Sequence, residues 1–163
     1  MLNTIIKITL SAALLATAMT NFADDLNVSK EVTVNASADV TWKMIGNFNH
    51  LDVWHSVVIS SELTHGKSNA ERLLTVDNGA TITEKQVSRN DKQRSYTYAI
   101  TASPLPVADY VSTISVQAIA DGKSTVKWTS SFDAKGATDE EAINTIAGIY
   151  DAGLNSLDKH FNQ

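Results

Sequence analysis

Residues 138–161 read TDEEAINTIAGIYDAGLNSLDKHF. Thr138, with Glu141 three places on, has the spacing of a capping box, in which hydroxyl and carboxylate each satisfy a free backbone N–H at a helix start. Ile143, Ile146, Ala147, Tyr150, Leu154, Leu157 and Phe161 then recur at helical spacing, while Asp139, Asn144, Asp151, Ser156 and Lys159 fall mainly elsewhere. The pattern predicts one long amphipathic helix. Its apolar stripe has to be buried, and the surface of matching size in this chain is the inner face of a sheet.

The sheet is legible upstream. Leu26, Val28, Val32 and Val34 alternate with Asn27, Ser29, Glu31 and Thr33, the period of a half-buried strand. Ser37 is placed to cap a short helix carrying Val40, Trp42, Met44 and Ile45. Phe48, Leu51, Val53 and Trp54 continue the apolar pattern beyond Gly46, which fits two short helices better than one. Strand signals follow over 57–65, 71–76, 80–89, 95–101, 110–120 and 124–132. Gly66, Asp77-Asn78-Gly79, Asn90-Asp91 and Asp121-Gly122 separate them, each short enough for a hairpin, so sequence neighbours should pair antiparallel in a meander. Pro104 and Pro106 have no N–H to give a central ladder, which puts their connection at a sheet end or rim.

A chain of 163 residues suits one domain. The net charge of -5, with no cluster of Lys or Arg, argues against a nucleic-acid partner, because phosphates need a basic face. With no cysteine there are no disulfides, thiolate nucleophiles or cysteine metal sites. At the N-terminus Lys7 interrupts Leu2, Ile5 and Ile6 before Ile8, Leu10 and the run from Ala12 to Leu15, the character of a signal peptide. Ala16-Thr17-Ala18 offers a cut near 18, and Ala23, ahead of Asp24 and Asp25, offers one near 23. The apolar run is short of the roughly 20 residues of a membrane span. The expected organisation is a leader over 1–23 and a folded domain over 24–163, periplasmic or secreted, with no stable span after cleavage.

Alternation assigns inward faces: Ile82 and Glu84 on one strand, Tyr96, Tyr98 and Ile100 on the next, and Val126, Trp128, Ser130 and Phe132 on the last. Such a lining, aromatic with few polar points, is either plain core or the wall of an apolar ligand pocket. Ala147, Gly148 and Gly153 indicate a demand for room or for close approach on the helix that also carries Tyr150 and Leu154. Glu84 cannot be buried unpaired without cost, and Arg72 is the partner to expect. The two form either a structural pair across adjacent strands or a site, in which Glu84 is a general base or anchor and Tyr96, Tyr98 or Tyr110 donates to a substrate oxygen. Trp54 and His55 stand where a pocket mouth would be. His50, Asp52 and His55 do not make a convincing metal set, since the histidines do not share a helical face and no third strong ligand is evident. No nucleophile elbow, phosphate-binding glycine loop or Ser/His/Asp arrangement is present, and no cofactor is implied.

Asp39-Val40-x-Trp42, Ile45, Phe48 and Trp54-His55, then Gly79, Ile82 and Glu84, then Tyr96, Tyr98, Pro104-Leu105-Pro106-Val107 and Tyr110, and finally Trp128 and Phe132, form an ordered set. With the element order, this set resembles the polyketide cyclase/dehydrase-like branch of the START/Bet v 1 (SRPBCC) superfamily across the whole mature chain. The resemblance implies an α+β helix-grip fold: a curved antiparallel sheet wrapped around the long C-terminal helix, with two short helices after the first strand. The chain is also similar to plant abscisic acid receptors of the same branch. Their gate and latch loops have no match, since Asp77-Asn78-Gly79 and Ala102-Ser103-Pro104 stand in those connections, and their basic carboxylate anchor is missing from 57–61. Three functions follow as expectations. The first is an exported binding protein for a small hydrophobic molecule such as a lipid, isoprenoid or aromatic metabolite. The second is a cyclase, dehydratase or isomerase using Glu84 and a tyrosine. The third, implied by resemblance alone, is an accessory protein to a periplasmic oxidoreductase.

Overall fold

The alternating segment at the start is strand β1 (Leu26–Val34), with Val28 and Val34 buried. The computed structural model describes residues 25–65 and 70–163. The expected leader over 1–23 and the turn at Gly66 lie outside the described residues. Helices α1 (Ala38–Ile45) and α2 (Leu51–Trp54) precede strands β2 (Val58–His65), β3 (Glu71–Val76), β4 (Thr81–Asn90), β5 (Ser95–Ala102), β6 (Val107–Ala118) and β7 (Ser124–Ala134). Helix α3 (Asp139–Phe161) follows. The strands form one seven-stranded antiparallel sheet in the order β1-β7-β6-β5-β4-β3-β2. Strands β2 to β7 are the meander that the turns predict, and β1 closes against β7. Because β1 and β2 lie at opposite edges, the chain between them has to cross the sheet, and α1 and α2 make that crossing.

Two local readings need correction. On α1 the buried face is Ala38, Thr41 and Ile45, whereas Val40 is 54% exposed. Thr41 tolerates full burial because its hydroxyl meets Ser124 Oγ at 2.8 Å. Strand β6 starts at Val107, not Tyr110, since Val107 and Ala108 pair with Ala134 and Asp133 before the register shifts. Asp109, with φ 51°, sits in that bulge and lets Val107 and Tyr110 both turn inward three residues apart.

The capping box of α3 is formed, with Thr138 Oγ1 accepting from Glu141 N at 3.2 Å and Glu141 Oε2 from Thr138 N at 2.8 Å. Its buried face is Ala142, Ile146, Tyr150, Gly153, Leu154 and Leu157, while Ile143, Ala147 and Phe161 are half-buried at its margins. Lys30 reaches Asp151 at 2.9 Å, and Asn162 bonds both Thr33 O and Asn35 N, fixing the helix end to β1 and the residue after it.

The two glycines of α3 have opposite meanings. A Cβ on Gly153 would stand 2.6 Å from His55 Cδ2 and 3.0 Å from Trp128 Cζ3, but a Cβ on Gly148 would meet nothing within 4 Å. Gly153→Ala is therefore expected to cost about 1–3 kcal/mol through overpacking. Gly148→Ala is expected to gain up to about 1 kcal/mol from helix propensity. Melting temperatures shifting the same way in both variants would contradict this docking of α3.

Candidate functional site

Between the sheet and α3 lies a cavity of about 50 Å³. Its floor is buried: Leu51 of α2, His55 just after it, Val58 of β2, Leu74 of β3, Ile82 and Glu84 of β4, Tyr98 of β5, Tyr110 of β6, Trp128 of β7 and Ile146 of α3. Its rim is half-buried and wholly apolar: Val57, Val76, Ile100, Leu105 and Ile149. Water occupies roughly 30 Å³ and small-molecule sites run to roughly 300–1,000 Å³. Most of the interior is thus packed core, and a small apolar cleft remains.

Of the side chains expected at a site, His55, Ile82, Glu84, Tyr98, Tyr110 and Trp128 meet in this wall. The others lie outside it. Arg72 and Tyr96 are buried behind Glu84 and Tyr98, Trp54 packs against Trp128 with ring centres 5.6 Å apart, and Phe132 stacks on Tyr110. Tyr150 stacks on Trp128 at 4.3 Å, Leu154 is core, and Ala147 is a half-buried margin of α3. Sequence reasoning missed Leu51, Val57, Val58, Leu74, Val76, Leu105 and Ile149 as wall residues. Most sit where strands and helices begin or end, Leu74 lies inside β3 and Ile149 on the flank of α3, so only the three-dimensional convergence of these segments identifies them.

Arg72 and Glu84 face each other across β3 and β4. Arg72 Nε donates to Glu84 Oε2 at 2.8 Å, and Nη2 lies 2.6 Å from the same oxygen, an ion-pair contact without hydrogen-bond alignment. Nη1 donates to Phe48 O, and the guanidinium lies 4.1 Å from the centre of the Phe48 ring. Burial pushes the Glu84 carboxyl up from its ordinary value, and the Arg72 charge beside it opposes that rise. Burial is the largest influence on Arg72 and works against its charge, but Glu84, Tyr96 and Tyr98 together raise its pKa and hold the guanidinium protonated. Oε1 of Glu84 has no hydrogen-bond partner among the described residues.

A hydrogen-bonded chain supports the floor. Ser112 Oγ donates to Thr129 O at 2.8 Å, so it accepts from Tyr150 O–H at 2.9 Å and from Trp128 Nε1–H at 2.9 Å. Tyr150 in turn accepts from Tyr110 O–H at 2.5 Å. Trp128 Nε1–H also points at Tyr98 OH, 3.0 Å away. Burial raises Tyr98 and Tyr110 well above the ordinary phenol value, so both remain proton donors.

His55 is a fastener. Its Nε2–H donates to Ile149 O at 3.0 Å, and its Nδ1 accepts from Val57 N at 3.4 Å. Burial lowers its pKa to about 4 against the pull of the Ile149 carbonyl, with the Arg72 charge adding to the drop, so the ring is neutral. His50 instead meets Asn47 Nδ2 at 3.0 Å. Among the described residues, no group of three His, Cys, Asp or Glu side chains is placed to hold a metal.

A curved antiparallel sheet closed around a long C-terminal helix, with a cleft between them, defines the helix-grip proteins. Within that class the chain belongs to the family described as polyketide cyclase / dehydrase and lipid transport, which matches residues 25–162. It is similar in structure to XoxI of Bacillus cereus, at 37% identity over 85% of this chain and 96% of that one, with a TM-score of 0.81. An uncharacterized protein of Bacillus thuringiensis is 38% identical over 84% of this chain and 99% of its own, with a TM-score of 0.80. The Zhui aromatase/cyclase of Streptomyces shares the fold at 18% identity, over 83% of this chain and 93% of its own, with a TM-score of 0.68. Among curated proteins, no sequence matches this chain.

Proposed function

We propose that the protein is an exported binder of a small hydrophobic molecule, held in the cleft between the sheet and α3. The observation that carries this reading is the rim. Val57, Val76, Ile100, Leu105 and Ile149 come from five separate segments and converge, half-exposed, on one opening over a floor with few polar groups. Apolar side chains gathered this way leave surface uncovered that an apolar guest would bury. The cavity of about 50 Å³ admits only the end of such a molecule. Entry of the rest of the molecule therefore requires the rim side chains to swing outward.

The test is a titration with the neutral apolar dye N-phenyl-1-naphthylamine, whose fluorescence rises on burial. Saturable binding at one dye per protein is expected. Ile149→Asp, which sets a charge on the rim, should weaken it about tenfold or more. A linear, unsaturable response from the wild type would remove the proposal. Export rests on the leader-like residues 1–23, and protein from the periplasmic fraction should lack its first 18 or 23 residues by intact mass. An unprocessed mass would contradict it.

The acid/base reading is favoured by one observation, the unengaged Oε1 of Glu84 in the cavity wall. Against it stands Arg72, which engages the other carboxylate oxygen and offsets part of the rise in basicity that burial gives Glu84.

A further inference from the structure

The cavity floor presents one open acceptor and one open donor. Glu84 gives Oε2 to Arg72 and keeps Oε1 free of protein partners among the described residues. Tyr98, 1% exposed, accepts from Trp128 Nε1, and the hydroxyl beside it, Ser112, already donates to Thr129 O and accepts from Tyr150 and Trp128, so the Tyr98 proton has no free acceptor among the described residues. Tyr110, the other phenol in the wall, is already committed to Tyr150. A carboxylate oxygen and a phenol proton left open in an apolar cleft would both gain from a ligand group that matches them. We infer that the cleft selects a hydrophobic molecule ending in a neutral hydroxyl, an alcohol or phenol whose O–H donates to Glu84 Oε1 and whose oxygen accepts from Tyr98 O–H. This rests on the reading of the cleft as a ligand site.

Charge excludes the other simple head groups. A carboxylate would meet Glu84 Oε1 as a like charge, and the balancing cation, Arg72, is 0% exposed behind it and already engaged by Glu84 and Phe48 O. An ammonium could pair with Glu84, but it has no lone pair for Tyr98 and would bring a second cation close to Arg72. A hydroxyl both gives and takes one hydrogen bond, as these two partners require, and its small size matches a cavity of about 50 Å³.

Displacement of bound N-phenyl-1-naphthylamine by 1-octanol, octanoate and octylamine at pH 7 tests the inference with one tail and three heads. The alcohol should displace the dye at about tenfold lower concentration than either charged compound. In Tyr98→Phe that ratio should fall below about threefold, because the donor is gone. Dye binding with equal or better displacement by octanoate or octylamine overturns the head-group assignment and leaves the cleft a ligand site. No dye binding by the wild type overturns both. Should Tyr98→Phe fail to fold, the wild-type ranking alone decides.

Discussion

Glu84→Leu is expected to lower the melting temperature by roughly 10 °C, and adding Arg72→Met is expected to restore most of the loss. Arg72 is 0% exposed and Glu84 is its one anionic partner among the described residues, so removing the carboxylate strands a guanidinium in the core. Breaking a buried pair from one side costs about 3–5 kcal/mol, whereas replacing both members with apolar groups of similar volume is often neutral. Recovery should be incomplete, because Phe48 O loses its donor and the Phe48 ring loses its cation. A thermal double-mutant cycle measures all of this. A near-neutral Glu84→Leu, or a double variant less stable than either single, would contradict the pairing as the reason a carboxylate is tolerated beside the cavity.

Stability should also fall as pH drops from 6.5 to 4, and His55 should be a main cause. Its folded-state pKa of about 4 lies below the ordinary 6.5, so the unfolded chain takes up a proton in that window and the folded chain does not. Above pH 6.5 both forms are neutral and the contribution is complete. It declines as pH falls and levels off below 4, with a total loss of about 3 kcal/mol. Physically, a charged imidazole would be buried beneath Gly153 and near Arg72. Asp91, held low by Arg89, and Glu141, held low by the Thr138 N–H, lose their shares at still lower pH in any variant. Comparing urea midpoints of wild type and His55→Gln at pH 7, 5.5 and 4 isolates the histidine. The two curves should converge as pH falls; parallel curves would contradict a neutral, buried His55.

The architecture was readable because its signals were periodic. Leu26 to Val34 alternates with Lys30 as its one interruption, residues 77–79 make a turn by composition, and the stripe from Ile146 through Tyr150 and Leu154 to Leu157 recurs in the four- and three-residue steps of a helix. The misread points are those where period fails. The bulge at Asp109 hides the start of β6, and the buried face of α1 carries a threonine while its valine faces water. The site was half legible for the same reason. Glu84, Tyr98 and Trp128 lie on alternating strand faces and can be placed from sequence, but alternation marks a side chain as inward without saying whether a neighbour fills the space in front of it. Trp54, Tyr150 and Phe132 are inward, and aromatic neighbours fill the space in front of them, Tyr150 and Phe132 by stacking and Trp54 by a tilted contact with Trp128. Val57, Leu105 and Ile149 reach the opening from connections and helix margins that no single period describes.

The direct measurement is an NMR spectrum of methyl-labelled protein saturated with N-phenyl-1-naphthylamine, read for nuclear Overhauser contacts between dye and protein. Contacts to the methyls of Ile82, Ile100, Leu105, Ile146 and Ile149 are expected, since these border the cleft. Contacts confined to exposed methyls away from it, such as Val87 and Val111, would show that the space between sheet and helix does not open to an apolar guest.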